Sequence, residues 1–328
     1  MPKGLGRQIQ VGLAKEAVRG TAETAATYYI PFTEAAVEEK NDLLANEQAM
    51  GVLEDTTEAK SVSVSAEINL KGAVGDKTFP LLLLASLGSV ASAAEIAPNT
   101  LVYDHTITVN QSVQHQSLTI FLNDPLGGQD YKHALGCVDS LDLAYEQNKF
   151  VEFDAKLKAL KGAVATLTPA TTAENLFLPQ HFVFKLASSV AGLTAATAIP
   201  VKSFKLKISK SLEADTVLGN IAPVDFLCKK ISIEGEVEAV WQNEADFKTA
   251  FMAGTVQAMR IDLKSDVTIG TSANPQITID LSKVIFNDLT HPIKVGDVMR
   301  QTIQFKAMYD TTTSKMVSIK VSNLVTSY

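Results

Sequence analysis

Cysteine and histidine are scarce in this chain of 328 residues, which holds two of the first and five of the second. Two cysteines, Cys137 and Cys228, cannot build a disulfide framework, so a reducing compartment is the default expectation. Neither has a Cys or His partner at ligand spacing, and no metal site is expected. His105, His115, His133, His181 and His291 form no HExxH pair and no Cys–His arrangement. Core or surface roles are the expectation for them. No GxSxG elbow, GxGxxG turn or P-loop lysine signature occurs. No catalytic residue and no cofactor are expected, and the chain reads as a non-enzyme. Long apolar runs are missing as well. The longest covers residues 79–84 and is broken by Pro80, far short of the roughly 20 residues that a membrane helix needs. The opening MPKGLGRQIQVGLAKEAVRG carries no apolar signal core, so synthesis in the cytoplasm without membrane insertion is expected. An excess of positive charge is also lacking. Asp and Glu number 36 against 29 Lys and Arg, for a formal net charge of -7. Such a chain does not attract a phosphate backbone by charge alone, which argues against a tight nucleic-acid binder.

What is present is alternation. Apolar residues make up 46% of the chain and charged residues 20%, as in folded, core-forming proteins. In KSVSVSAEINL, Val62, Val64, Ala66, Ile68 and Leu70 share one face, while Ser61, Ser63, Ser65, Glu67 and Asn69 share the other. In KISIEGEVEAVW, Ile231, Ile233, Val237, Ala239 and Trp241 oppose Ser232, Glu234, Glu236 and Glu238. Each reads as a strand with one dry and one wet side. Superposition pairs Val62 with Ile231 and Ile68 with Val237. A short helix follows each strand. It starts near Asp76 or Glu244, carries Phe79 or Phe247, and stops at Gly88 or Gly254. Pro80 suits the first helical turn.

The order of elements recurs. RQIQVGLA and HFVFKLAS open the two copies, and AAVEEKND and KSFKLKISKS precede the strand–helix units. LVYDHTITVN, SLTIFLND, CVDSLDLAYEQ and KFVEFDAKLKAL follow the first unit. AMRIDLKSDVTI, PQITIDLSKVIF, RQTIQFKAMYD and KMVSIKVSNLV follow the second. The expected fold is mainly β with one short α-helix per domain, as two tandem sandwich-like or half-barrel domains over residues 1–165 and 175–328. The small, Thr-rich stretch 162–178 reads as the linker. PLGGQD, with Gly127 and Gly128, reads as a hairpin turn. Long connections, 43–58 and 212–227, fall at the same place in each copy. Leu43, Leu44, Met50, Val52 and Leu53 lie in one; Val217, Leu218, Ile221, Val224 and Phe226 lie in the other. Apolar residues on protruding loops point to a neighbouring subunit. The carboxylates Glu234, Glu236 and Glu238 alternate along a strand, which reads as a solvated sheet face; an acidic wall with a task is the sharper alternative.

The opening GRQIQVGLAKEAVRGTAETAATYYIPF resembles that of tail tube proteins of long, flexible-tailed bacteriophages. The residues that carry the likeness are Gly12 to Glu16, Arg19-Gly20-Thr21-Ala22 and Tyr28 to Phe32, and the strand–helix unit and later hairpins fit the same family in a tandem two-domain form. The resemblance implies a structural subunit whose strands join a closed inner barrel shared by a ring. Two domains per chain imply three chains in a pseudo-sixfold ring, with six chains as the alternative. It implies stacking of rings around a tape-measure protein, contact with tail-tip and tail-terminator proteins, and genomic DNA passing through without specific binding. The place implied is the virion tail, after assembly in the host cytoplasm. On this reading Glu67, Glu234, Glu236 and Glu238 face the lumen and repel phosphates. Leu44, Met50, Val52, Leu53, Val217, Leu218 and Ile221 belong to arms that reach the next ring. A contractile injection tube fits less well, because those subunits are usually single-domain. A β-sandwich surface, adhesion or binding module is the alternative from another class. An enzyme with scattered carboxylates has no motif in its favour.

Overall fold

The computed structural model describes residues 5–94, 101–124, 128–240, 247–292, 296 and 298–328. Trp241, Glu244 and Gly127 lie outside them. Among the described residues, β1 (Gln10–Lys15), β2 (Tyr28–Ile30), β3 (Glu34–Asn46) and β4 (Glu58–Ala73) precede α1 (Phe79–Leu87). Next come β5 (Gly88–Ala94), β6 (Tyr103–Val109), β7 (Leu118–Asn123), β8 (Asp130–Glu146), β9 (Glu152–Ala159) and β10 (Ala163–Ala165). The second half holds β11 (Phe182–Ala187), β12 (Val201–Asp215), β13 (Asp225–Val240), α2 (Lys248–Ala253), β14 (Gln257–Lys264), β15 (Gln276–Thr290), β16 (Arg300–Met308) and β17 (Val317–Asn323). The protein is mainly β, as its alternation predicts.

Eight strands form one antiparallel sheet in the order β3-β4-β9-β8-β12-β13-β16-β15. β8 and β15 are long enough to serve two sheets. The first half of β8 pairs with β7 and β10, and β7 carries β1 and β2. The first half of β15 pairs with β14 and β17, and β14 carries β11. The apolar sides of all these strands enclose one continuous core. Across it, Phe184 of β11 and Phe204 of β12 lie 5.9 Å apart, centroid to centroid. This layering is a sandwich: a long sheet with one wet and one dry face, its dry face covered by smaller sheets and two helices.

The helices begin later than the sequence implies. α1 is buried on every side, so it is a core helix rather than an amphipathic one. It ends at Gly88, whose φ of 90° suits the left-handed stop. Asp76 does not cap it. Asp76 is buried and accepts hydrogen bonds from the backbone N–H and side-chain amide of Asn175 at 2.9 and 2.8 Å. The Glu174 carboxylate accepts from the backbone N–H of Thr78 at the helix start. Both partners lie in the stretch read as a linker. Phe177 in the same stretch is buried, and its backbone N–H donates to the carbonyl of Val74 at 3.2 Å. The linker is therefore fastened to the first half by charge-assisted bonds and an aromatic anchor.

The two halves repeat the same pairings with different neighbours than the alternation implied. β1, β3, β4, β7, β8 and β9 match β11, β12, β13, β14, β15 and β16. Among the described residues β6 has no counterpart: with β5 it forms an extra hairpin that pairs with β17 of the second half. The pairing of LVYDHTITVN with AMRIDLKSDVTI is thus displaced by one strand. The superposition of Val62 on Ile231 is displaced too. Gly72 of β4 stands opposite Phe153 of β9, and Gly235 of β13 stands opposite Phe305 of β16. A Cβ at Gly72 would meet the Pro31 carbonyl oxygen and the Phe153 ring; one at Gly235 would meet the Lys205 carbonyl oxygen and the Phe305 ring. These two glycine–phenylalanine contacts fix the register of the halves, with Gly72 equivalent to Gly235. In that register Val62 lies beyond the packed region, which is why it is 46% exposed. Gly235→Ala would press a methyl group into backbone and ring, costing about 1–3 kcal/mol of stability. Urea unfolding of the monomer should show a lower midpoint; an unchanged midpoint would mean the glycine is there by chance.

Candidate assembly surfaces

Alternation along each strand of the long sheet sends the odd or even set outward, and these outward sets meet in rows. One row runs Glu34, Lys71, Asp154, Asp142, Lys207, Glu234, Lys306 across seven neighbouring strands. Lys71 Nζ lies 2.9 Å from Glu34 and 3.7 Å from Asp154. Lys207 lies 3.7 Å from Asp142, and Lys306 lies 2.7 Å from Glu234. Burial raises the Asp142 carboxyl above its ordinary value, opposed by Lys207. The polar face carries two depressions. Lys71, Asp154, Asp142, Lys207 and Glu234, from five adjacent strands, line one depression, and Glu38, Glu67, Lys156 and Lys158 line a second beside it.

The four glutamates named from sequence all sit on this face, and each has a cation beside it. Glu67 is 3.8 Å from Lys40, Glu234 2.7 Å from Lys306, Glu236 4.0 Å from Lys205 and Glu238 2.9 Å from Arg300. Repulsion of a phosphate by these carboxylates is offset on the spot. A lattice of exposed pairs contributes little stability, about 0–1 kcal/mol per pair, and leaves the face polar with no strong sign. The neutralising lysines lie on neighbouring strands, so reading β13 alone could not reveal them.

The long connections are hairpins with shorter tips than expected. Leu43 and Leu44 lie within β3, which runs on to Asn46, so the first tip covers residues 47–57. The second covers residues 216–224. Phe226 is buried in β13 rather than in the loop. Leu44, Met50, Val52, Val217 and Ile221 are exposed, and Leu53 and Leu218 are fully exposed at the tips. The second tip is not wholly free: the Ile221 carbonyl accepts the Val64 N–H of β4 at 2.7 Å.

A cluster that the alternation does not flag binds the halves together. Arg19, from the Arg-Gly-Thr-Ala stretch, lies 2.7 Å from the Asp225 carboxylate and donates to the Phe226 carbonyl at 2.8 Å. It also donates to the His115 carbonyl and, at 3.3 Å, to Cys137 Sγ. Burial would raise the Asp225 carboxyl, but hydrogen bonds from Arg19 and Gln114 outweigh it and hold the group below its ordinary value. The neighbouring Glu16 is buried and accepts from the Gly20 and Leu135 N–H groups at 2.8 and 2.7 Å. Lys210 is buried too, its ammonium donating to the Ala85 carbonyl at 2.8 Å. Donors and acceptors from both halves thus close around the opening segment.

A family model described as phage tail tube protein matches residues 6–307. This chain belongs to that family. No curated protein matches it individually. The family is one of structural virion tail components, and the match runs through both halves of the tail tube chain and through the segment that carries Arg19. No helix among the described residues is long and apolar enough to cross a membrane.

Burial lowers the Lys210 ammonium from the ordinary lysine range to about 8, reinforced by Arg19 and opposed by the two thiols. Between pH 8 and about 10.5 this lysine then binds more protons in the unfolded chain than in the folded one, so its own contribution to stability rises with pH across that window, against the opposite contribution of the buried Cys137 and Cys228 thiols, which burial pushes up. Lys210→Met should flatten this rise, measured by urea unfolding at pH 8, 9 and 10. A rise of the same size in the variant would locate its source elsewhere.

Proposed function

We propose that the chain is the repeating subunit of a siphophage tail tube, in a tandem two-domain form, polymerising as stacked rings into a conduit for DNA ejection. The observation that carries this reading is the eight-stranded sheet with one polar face and, among the described residues, an open strand edge at β3 and at residues 285–290 of β15. An open sheet of this kind is completed when its ends meet those of other copies, because closure alone removes the edges. The repeated pairings of the two halves support one domain per half, over residues 1–165 and 175–328. Two domains per chain favour three chains in a pseudo-sixfold ring over six chains.

On this reading Glu67, Glu234, Glu236 and Glu238 face the lumen. With their lysine and arginine neighbours they present a paired, nearly neutral bore, across which DNA slides without a strong electrostatic hold in either direction. Leu44, Met50, Val52, Leu53, Val217, Leu218 and Ile221 form arms that bury their apolar side chains against the adjacent ring. The tape-measure protein occupies the bore before ejection, and tail-tip and terminator proteins meet the first and last rings. The chain assembles in the host cytoplasm.

Purified protein at rising concentration, viewed by negative-stain electron microscopy, should show hollow rings and then tubes. Monodisperse monomers at every concentration would reject the reading in favour of a β-sandwich binding module. Removing residues 48–55 should leave rings that no longer stack. Tubes of normal length from that variant would strip the first arm of its role.

A further inference from the structure

The segment after β17 is held in place by side chains. We propose that residues 324–328 form an acid-released strap, seated across the first half while the His105 ring is neutral and lifted off it once that ring takes up a proton. The strap belongs to the single chain and is independent of any ring.

Among the described residues, 324–328 make no backbone–backbone hydrogen bond. Their place is set by Asn323 and His105, both fully buried. The Asn323 side-chain carbonyl accepts the Val325 N–H at 2.9 Å. Its amide donates to the Tyr328 hydroxyl at 2.7 Å and to the Asp76 backbone carbonyl at 2.6 Å. His105 stands in β6, opposite Ser92 of β5 and Val321 of β17. Tyr328 reaches back to the first half. Its hydroxyl donates to the Lys77 carbonyl, just before α1, at 2.7 Å, and Lys15 of β1 donates to its backbone carbonyl at 3.0 Å. Its ring lies edge-on to His105 at 4.8 Å and 6.2 Å from Tyr28 of β2. Leu324, Thr326 and Ser327 remain exposed. The strap is thus one buried aromatic key at the end of an exposed run.

The hydrogen bonds assign the His105 proton. Nε2 lies 2.8 Å from the Val325 carbonyl and 3.2 Å from Asn323 Oδ1. Both oxygens only accept, so Nε2 carries the hydrogen. Nδ1 is then the bare nitrogen, and it accepts from the Ser92 hydroxyl at 2.7 Å. A second proton enters at Nδ1. The Ser92 hydroxyl turns to accept it, so the cost is the buried charge rather than a lost bond. The surroundings do little to offset that cost. On β6, Asp104 is already paired with Lys320 of β17 at 2.6 Å and bonded by Ser322. At the entry to α1, the Asp76 carboxylate is taken up by Asn175, and the Lys77 ammonium by the Ala173 carbonyl. β1 brings the cation Lys15, β2 and the strap bring the phenols Tyr28 and Tyr328, and β5 brings no charged group. Burial accordingly holds His105 below the ordinary imidazole value, opposed by its bonds to Val325 and Asn323 and by Asp104.

A lifted strap returns the ring to water and to its ordinary value near 6.5. The seated value is the lower one, so this group's contribution to seating is whole above that pH and is lost as pH falls toward the seated value. Each pH unit in that window opens the strap up to about tenfold more often. The strap yields first because β5, β6 and β17 are held by ladder bonds and it is not. Its release frees the Lys77 carbonyl and removes one of the ties between the halves.

Amide exchange on the full chain, read by mass spectrometry at pH 7.5 and pH 5.0 and corrected for the intrinsic pH dependence of exchange, tests this. Residues 324–328 should exchange about tenfold faster at pH 5.0, with residues 317–323 unchanged. Equal exchange at both pH values, or parallel loosening of residues 317–323, overturns the proposal. His105→Gln keeps an N–H for the Val325 carbonyl and takes up no charge, so its strap should show the same protection at both pH values. An acid response of full size in that variant would place the trigger elsewhere and overturn the role of His105. Tyr328→Phe keeps the ring and loses the phenol bonds. Its residues 324–328 should exchange about tenfold faster already at pH 7.5, while residues 317–323 stay protected. Unchanged exchange in Tyr328→Phe would show that the phenol does not hold the strap.

Discussion

An antiparallel sheet that ends in open air leaves a row of backbone donors and acceptors without partners, and everything else in this molecule is arranged around that constraint. Most of the sheet is protected within the chain. β8 and β12 close the gap between the halves, and β6 covers the flank of β17. Among the described residues, the eight-stranded sheet keeps one open edge at β3 and another along the end of β15, while the shorter strands β2, β5, β10 and β11 each pair with one neighbour. In the proposed ring the polar face would turn toward the bore and the dry face away from it.

The rigid parts serve this geometry. α1, α2 and the phenylalanines beside them fill the dry side. Phe79 and Phe153 lie 5.6 Å apart, and Phe247 and Phe286 lie 5.7 Å apart. The opening segment threads between the halves and locks them through Arg19, Glu16 and Asp225. The fastened linker and the β5–β6 hairpin add further ties. The halves thus share one core. Their relative orientation is set within the chain, so in the proposed three-chain ring half of the seams would already be formed in each subunit. That lowers the number of independent bodies to be ordered and with it the entropic cost of assembly.

Much of this was legible in the sequence, for identifiable reasons. Strict alternation in β4 and β13 revealed the two faces, since one face is dry and the other wet over most of their length. Gly88 and Gly254 marked helix ends because both adopt φ above zero. The repeat itself was visible as an order of elements. Its register was not, because alternating strands superimpose equally well at every even shift, and only the Gly–Phe contacts across strands break that degeneracy. Glu234, Glu236 and Glu238 looked like an acidic wall because their cations come from β12 and β16, far away in sequence. The loops looked longer than they are, since β3 carries exposed Leu43 and Leu44 into a hairpin that rises beyond the core. The Arg19 cluster joins residues up to 207 positions apart and left no local pattern.

The central claim is that the ends of β3 and β15 are the surfaces that assembly consumes. Amide hydrogen exchange, read by mass spectrometry on monomer and on tube, tests it most directly. The account predicts strong new protection in peptides covering residues 34–41 and 285–290, with no change over residues 203–209, which are already paired inside the chain. Equal exchange of both edge peptides before and after assembly would contradict it.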